Sequence, residues 1–194
     1  MNIGIYIYNK AEVLDFSGPF EVFSTASRVC NEANPFNVFL VSELGGAINA
    51  RGGYSVNTAY GFKDHPKIDV LIVVGGVHTE ELKKPQVINW IAENAKKAKL
   101  VASVCTGAFL LAEARIITTQ NVTTHWGDIN DLRTSYPDLT VHESKRWVDE
   151  GTVVTSGGIS AGIDMSLHLV SRLHSSELAD KTARQMEFNW TKDS

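Results

Sequence analysis

The sequence predicts an α/β fold with a mostly parallel sheet, because apolar runs of strand length alternate with segments of helical periodicity. The runs are continuous rather than alternating, which is typical of strands that helices cover on both faces. Parallel pairing then follows through right-handed crossovers. The four runs span residues 3–8, 38–42, 70–74 and 100–104.

The helical segments between and after these runs are indicated by capping signals and proline positions. After the first run, Ser17 is predicted to cap a helix with Pro19 in its first turn. Pro85 opens a helix between the third and fourth runs, with apolar residues on one face and charged residues on the other. Two further helices are predicted at residues 159–174 and 177–188.

Two hairpins complete the predicted elements. One spans residues 47–58 with a Gly-Gly pair in the middle, and the other joins residues 147–149 to residues 152–155. No internal repeat, low-complexity segment or linker divides the sequence. We therefore expect one domain over residues 1–194.

The composition excludes several classes of function. The 22 acidic and 18 basic residues give a formal net charge of -4, and no basic run is longer than two, so nucleic-acid binding by this domain alone is not expected. The N-terminus lacks a signal-peptide pattern and no apolar stretch reaches bilayer length, so we expect a cytoplasmic protein without membrane contact.

Motifs for metals and cofactors are also missing from the sequence. The histidines show no metal-ligand spacing, and the glycine-rich stretches match neither a phosphate loop nor a dinucleotide fingerprint, so neither a metal nor a cofactor is expected. The chain has two cysteines, Cys30 and Cys105, and both are expected to stay reduced in the cytoplasm. Cys30 lies inside the first helical segment and is interpreted as structural.

Three candidate functional segments fall where parallel strands are predicted to end. Cys105 directly follows one apolar run, Gly75 and Gly76 directly follow another, and Asp15 lies in the connection from the first strand to the first helix. Ligands of an open parallel sheet bind beyond the carboxyl ends of its strands. The sequence therefore predicts that the three segments meet at one site.

The residue types in these segments indicate nucleophilic catalysis. Unpaired amides at a helix N-terminus can lower a thiol pKa from about 8.5 to roughly 3.5–7.5, so we expect Cys105 to be largely ionised. Gly107 permits a sharp turn from strand to helix. Gly75 and Gly76 are expected to offer uncovered amides to developing negative charge. Asp15 is expected to act as general acid and base or to hydrogen-bond the sulfur directly.

Each of these residues also has a structural interpretation, which the sequence leaves open. Cys105 can be a small buried hydrophobe, Gly75-Gly76 a simple turn, and Asp15 a charge that complements the helix dipole. His125 is the histidine expected nearest the pocket. For His125 a hydrogen-bonded position in the core or at the rim is the favoured interpretation.

Five sequence blocks occur in order along nearly the whole chain: VLDFSGPFEVF, VLIVVGG, SVCTGAFLLAEA, TTHW and TSGGISAGIDMSLHLV. Through them the sequence resembles the DJ-1/PfpI superfamily of class I glutamine amidotransferase-like proteins. Within it the sequence is most similar to the branch of isonitrile hydratases and AraC-type sensor domains. The resemblance implies a flavodoxin-like three-layer sandwich, a homodimer, and a cysteine on a nucleophile elbow.

The resemblance also implies roles for individual residues. Cys105 matches the nucleophile, Asp15 its acidic partner and Thr106 the neighbouring threonine, while Gly76 and the Thr106 amide match donors that face the ligand. The protease-like branch has histidine after the cysteine, so the Cys105-Thr106 pair argues against peptidase activity. Arg115 stands where many relatives have glycine, so a helix ending there lacks the usual left-handed cap.

Two functions of different classes follow from the resemblance. The first is a hydratase that converts an isonitrile and water into an N-substituted formamide, with attack by the Cys105 thiolate and proton transfer by Asp15. The second is a non-catalytic sensor that binds a small metabolite or reads oxidation of Cys105. A glyoxalase-like activity on aldehydes is a third candidate function, with less support than the other two. The sequence ends at Ser194 without helix-turn-helix units, so direct DNA readout is not expected.

Overall fold

The computed structural model describes residues 1–31 and 34–192 of the chain, in which strands and helices alternate as predicted. The strands are β1 (Asn2–Tyr6), β2 (Asn37–Val41), β3 (Gly46–Asn49), β4 (Ser55–Thr58), β5 (Val70–Val73), β6 (Leu100–Val104), β7 (Asn121–Val122), β8 (Thr140–Val141), β9 (Trp147–Asp149) and β10 (Val153–Ser156). The helices are α1 (Val13–Val29), α2 (Thr79–Leu82), α3 (Pro85–Ala95), α4 (Gly107–Glu113), α5 (Ile129–Ser135), α6 (Ala161–Leu173) and α7 (Ser176–Gln185).

A six-stranded sheet in the order β2-β1-β5-β6-β10-β9 forms the centre of the molecule. All its neighbouring strands are parallel except β9, which pairs antiparallel with β10. Every residue of β5 and β6 is buried, because one group of helices (α1, α6, α7) and another (α2, α3, α4) flank the sheet. The predicted α/β class with a mostly parallel sheet is confirmed.

The strand order changes direction next to β1, which has β2 on one side and β5 on the other. The chain connections that leave β1 and β5 therefore diverge and open a crevice at the carboxyl edge of the sheet. The predicted hairpins are both present, as β3–β4 and as β9–β10. The β3–β4 hairpin reaches this same edge, because the Lys10 amide donates to the Asn49 carbonyl at 2.8 Å.

The first helix begins earlier than predicted. α1 begins at Val13, so Ser17 and Pro19 both lie inside it, and the Ser17 hydroxyl donates to the Val13 carbonyl at 2.8 Å instead of capping the helix. The start is fixed by tertiary contact, since the Glu12 amide donates to the Gly75 carbonyl at 3.0 Å. As a result Asp15 lies in the first turn of α1 and not in the connection before it.

The other helix boundaries are close to the predicted ones. α3 begins at Pro85 as expected, and α6 and α7 lie within a few residues of the predicted limits. Ser175 caps α7 by accepting a hydrogen bond from the Leu178 amide at 3.2 Å. No helix in the described ranges is long and apolar enough to cross a membrane.

Arg115 ends α4 in the left-handed conformation that the glycine of other sequences would favour. Its φ is 56°, and the Ile116 amide closes the end of the helix by donating to the Leu111 carbonyl at 2.9 Å. A residue with a Cβ costs roughly 1–2 kcal/mol in this conformation. The helix end therefore keeps its cap geometry at the expense of local strain.

We predict that Arg115→Gly raises the free energy of unfolding by about 0.5–1 kcal/mol, since relief of strain exceeds the added entropy of the unfolded chain. Equilibrium denaturation in urea measures the change. Arg184→Gly in α7 is the matched control, because residue 184 is exposed and helical; that variant should lose roughly 0.5–1 kcal/mol. A loss of stability in both variants would contradict the assignment of strain to Arg115.

Candidate active site

The structure brings the three predicted segments together at the carboxyl edge of the sheet. Cys105 directly follows β6, Gly75 follows β5, and Asp15 lies in the first turn of α1. The Gly75 amide donates to Asp15 Oδ2 at 3.1 Å, and the Asp15 carboxyl lies close enough to the Cys105 thiol for each group to shift the pKa of the other. Their convergence, inferred from strand ends alone, is the geometry of a candidate active site.

Cys105 occupies a strained turn between β6 and α4. Its φ is 57°, which is unfavourable for a residue with a Cβ and is typical of a nucleophile elbow. The backbone is held in place because the Thr124 hydroxyl donates to the Cys105 carbonyl at 2.8 Å. A Cβ at Gly107 would collide with the Val73 carbonyl oxygen, so the chain can turn this closely only with glycine there.

Asp15 is fully buried, and both of its carboxyl oxygens accept backbone hydrogen bonds. Oδ2 accepts from Gly75 and Oδ1 accepts from the Ile159 amide at 3.0 Å. Burial raises the pKa of Asp15 to about 7, although these two amides and the Cys105 thiol favour the ionised form. Near neutral pH the carboxyl is therefore poised to exchange a proton.

The thiol of Cys105 differs from the ionised group that its position predicted. Burial raises the pKa of Cys105, and the neighbouring Asp15 carboxylate raises it further. The Thr106 amide lowers it, as expected of a donor at the start of a helix, but this contribution is smaller. The expectation of a largely ionised thiol is therefore wrong. Above pH 7 the Asp15–Cys105 pair instead holds one proton, on the sulfur, and as the pH falls below 7 it gains a second, on Asp15.

The Gly75 and Gly76 amides are not the uncovered donors that were expected. The Gly75 amide is used by Asp15, and the Gly76 amide donates to Thr106 Oγ1 at 3.0 Å. The same hydroxyl donates to the Gly76 carbonyl at 3.2 Å. The two glycines thus fix Asp15 and Thr106, while the Thr106 amide points to the sulfur.

A cavity of about 260 Å³ opens above Cys105. It is lined by Glu12, Arg51, Gly76, Val77, His78, Thr79, Cys105, Thr106, His125, Asp128 and Ile159. The volume is below the range of about 300–1,000 Å³ that is typical of sites for drug-sized ligands. The cavity therefore fits a small molecule, with the sulfur of Cys105 at its boundary.

His125 lies at the rim of this cavity, where the sequence analysis placed it as a hydrogen-bonded residue. Its Nδ1 is 2.9 Å from Asp128 Oδ2. A Cβ placed on Gly158 would be 2.5 Å from His125 Cδ2 and 3.2 Å from Cys105 Sγ. The two side chains therefore face the same small space, which only a glycine at position 158 leaves open.

Three residues at the site escaped the sequence analysis. Ile159, with a φ of 58°, supplies an amide to Asp15; its signal was the glycine-rich loop after β10, at the same edge of the sheet. His78 packs on Phe109 with ring centroids 4.6 Å apart, and burial lowers its pKa. Arg51 comes from the distant β3–β4 hairpin, and no local pattern identifies it.

Cys30, interpreted as structural, lies outside this site. It ends α1, and its sulfur is 3.6 Å from His174 Nε2. Across residues 1–31 and 34–192, no cluster of three His, Cys, Asp or Glu side chains is arranged to hold a metal ion.

Comparison with known proteins gives matches to one family and to its relatives. A model of the DJ-1/PfpI family matches residues 1–172. Isonitrile hydratase from Pseudomonas putida is 30% identical over 189 residues, which cover 97% of this chain and 78% of the hydratase. The HTH-type transcriptional regulator CdhR from Pseudomonas aeruginosa is 30% identical over 173 residues, which cover 89% of this chain and 51% of the regulator. The chain thus spans about half the length of this regulator.

A solved structure shows the same fold. The crystal structure of a THiJ/PfpI family protein from Pseudomonas syringae superposes with a TM-score of 0.86 at 21% identity, covering 98% of this chain and 76% of that chain. At this identity the likeness concerns the fold alone. It confirms the predicted flavodoxin-like sandwich.

The raised pKa of Asp15 predicts a pH dependence of stability. Because the folded-state pKa of about 7 exceeds the ordinary value of 3.8, the protonated carboxyl favours folding, and this contribution is lost as the pH rises through 7. We expect the unfolding free energy of the wild type to fall relative to Asp15→Asn between pH 4 and 7, by at most about 1.4 kcal/mol per pH unit.

Urea denaturation at several pH values measures this difference. The control is Asp138→Asn, which alters an exposed carboxyl. Its stability should follow that of the wild type across the range. A difference between wild type and Asp15→Asn that does not change with pH would contradict the raised pKa.

Proposed function

The chain belongs to the DJ-1/PfpI family, and from that premise we propose that it is a cysteine-dependent hydratase that converts an isonitrile and water into an N-substituted formamide. The observation that carries the proposal is the buried Asp15–Cys105 pair on the elbow, at the floor of a small cavity. A nucleophile with an adjacent proton acceptor is the arrangement that covalent catalysis requires. The 30% identity to an isonitrile hydratase supports this choice of substrate.

In the first step the Cys105 sulfur attacks the terminal carbon of the isonitrile. Asp15 accepts the thiol proton as the carbon–sulfur bond forms, and then delivers that proton to the same carbon. The product is a thioimidate, R–N=CH–S–Cys105, and Asp15 returns to the carboxylate. A carboxyl with a pKa of about 7 suits both transfers, because it is a stronger base than an ordinary carboxylate and is still acidic enough to protonate the substrate carbon.

In the second step water adds to the thioimidate carbon. Asp15 accepts a proton from the water and passes it to the nitrogen, which gives a tetrahedral intermediate, R–NH–CH(OH)–S–Cys105, and returns Asp15 to the carboxylate. Asp15 then accepts the hydroxyl proton, so that the carbonyl of the formamide forms as the carbon–sulfur bond breaks. Asp15 returns a proton to the sulfur, so that the thiol and the carboxylate are restored and the net reaction adds one water to the isonitrile.

Thr106 and His125 have supporting roles in this proposal. The Thr106 amide, which already faces the sulfur, stabilises negative charge on the sulfur during attack and departure. His125 lies on the other side of the sulfur, where its ring confines the bound substrate. Gly75 and Gly76 act indirectly, by fixing Asp15 and Thr106.

A non-catalytic sensor of a small metabolite is the second candidate. The observation that favours it is the match to HTH-type regulators, in which a domain like this one forms about half of the chain. The same cavity would then bind its ligand without turnover. We also propose that the protein is a cytoplasmic homodimer and that residues 1–194 form one domain.

The decisive experiment is incubation of the purified protein with a simple alkyl isonitrile, with the formamide followed by chromatography. The wild type should form product, Cys105→Ala should be inactive, and Asp15→Asn should lose at least about 100-fold in rate. Cys30→Ala is the matched control and should retain full activity. No product from the wild type would favour the sensor, and full activity of Cys105→Ala would contradict the mechanism.

The pair of ionisable groups also predicts the pH profile of the hydratase. Below the Asp15 pKa of about 7 the carboxyl is protonated and cannot accept the thiol proton, so kcat/KM should fall about tenfold per pH unit. Between pH 7.5 and 9 it should be constant, because the thiol pKa lies higher. Initial rates from pH 5 to 9 measure the profile. A rate that falls as the pH rises from 6 to 8 would contradict the assignment.

A further inference from the structure

Arg51 gives the entrance of the cavity a cationic group. Among the described residues that line the cavity, Arg51 is the one Lys or Arg. The acidic side chains Glu12 and Asp128 line it as well, and Asp15 lies beneath. The cavity therefore combines a reactive sulfur at its floor with a guanidinium that belongs to a different part of the chain.

The position of Arg51 is fixed by backbone contacts. It lies in the turn between β3 and β4, and its amide donates to the Ala11 carbonyl at 3.0 Å. The neighbouring Asn49 amide donates to Asn9 Oδ1 at 3.0 Å. The hairpin is thus attached to the connection between β1 and α1, which also carries Glu12 and leads to Asp15. This attachment is what brings Arg51 to the cavity.

The Arg51 guanidinium has N–H donors that are not used by Glu12. Arg51 Nη1 lies 3.1 Å from Glu12 Oε2, and in the described part of the chain the Arg51 side chain makes no other hydrogen bond or ion pair. Its side chain is 55% exposed, whereas that of Glu12 is 23% exposed. Since a guanidinium carries five N–H donors in a planar fork, a carboxylate can bind it while the contact with Glu12 persists.

We propose that Arg51 selects substrates with a carboxylate, so that the hydratase acts on a small isonitrile whose isocyano carbon faces Cys105 and whose carboxylate faces Arg51. This inference rests on the proposed function and narrows its substrate class. The cavity of about 260 Å³ limits such a molecule to a small isocyano acid. Glu12 moderates the selection, because its charge opposes that of the substrate and occupies one of the arginine donors.

The first test compares isocyanoacetate with isocyanoacetamide, which differ in charge and hardly in size. The wild type should prefer the acid by at least about tenfold in kcat/KM. In Arg51→Gln this ratio should fall about tenfold, mainly through KM of the acid, and in Glu12→Gln it should rise severalfold. Arg28→Gln removes another surface arginine that is paired with a glutamate, and should keep the ratio of the wild type.

The second test measures anion selection without hydratase activity. Iodoacetate and iodoacetamide alkylate the thiol, with sulfur displacing iodide, and mass spectrometry follows the Cys105 peptide in a Cys30→Ser background. The rate ratio of the two reagents, divided by their ratio with glutathione, should fall in Arg51→Gln and rise in Glu12→Gln. An unchanged ratio in both variants overturns the role of Arg51 and leaves the hydratase proposal intact. Absence of formamide with a changed ratio overturns the hydratase and retains anion selection.

Discussion

The burial of a carboxyl against a thiol is the constraint on which the rest of the site depends. An isolated charge in such a position is costly unless backbone donors surround it. Asp15 obtains these donors from Gly75 after β5 and from Ile159 after β10, two strands that are not neighbours in the sheet. Cys105 follows β6, the strand between them. The order of the parallel strands thus places one carboxyl, its two amides and the sulfur at one edge, and no single segment of the chain could assemble them.

The same arrangement explains why backbone strain is concentrated here. Cys105 and Ile159 both have positive φ values, 57° and 58°, although neither is a glycine. Each strained residue presents a functional atom: the sulfur in one case and the amide that binds Asp15 in the other. Such conformations persist only where surrounding contacts determine them. Here the contacts are the Thr124 hydroxyl on the Cys105 carbonyl and the close approach of Gly107 to β5. The strained conformations therefore hold the Cys105 sulfur next to the Asp15 carboxyl.

Elements that depend on local interactions could be predicted from the sequence, whereas features that depend on contacts between distant residues could not. The buried strands, the helix at Pro85 and both hairpins depend on local patterns, and they were predicted well. The predicted start of α1 was wrong because the contact of Glu12 with Gly75, more than sixty residues further along the sequence, outweighs the Ser17 and Pro19 signals. The ionised thiol was wrong for a related reason: position at a helix start indicates a lower pKa, whereas burial and Asp15, which only the fold reveals, raise it. Arg51 could not be identified at all, since only the attachment of the hairpin brings it to the cavity.

The state of the proton on the Asp15–Cys105 pair also separates the functions that a cavity of this kind could serve. A sensor of oxidation needs an ionised thiol at neutral pH, because the thiolate is the form that oxidants attack. The raised thiol pKa opposes that use. The proposed hydration of an isonitrile instead begins and ends with a protonated thiol and an ionised carboxyl, and the Asp15 pKa of about 7 allows a proton to move to the substrate and back within a turnover. Simple binding of a metabolite requires neither the strain at Cys105 nor a carboxyl buried beneath it. The energetic cost of this pair is therefore better explained by proton transfer to a bound molecule than by recognition alone.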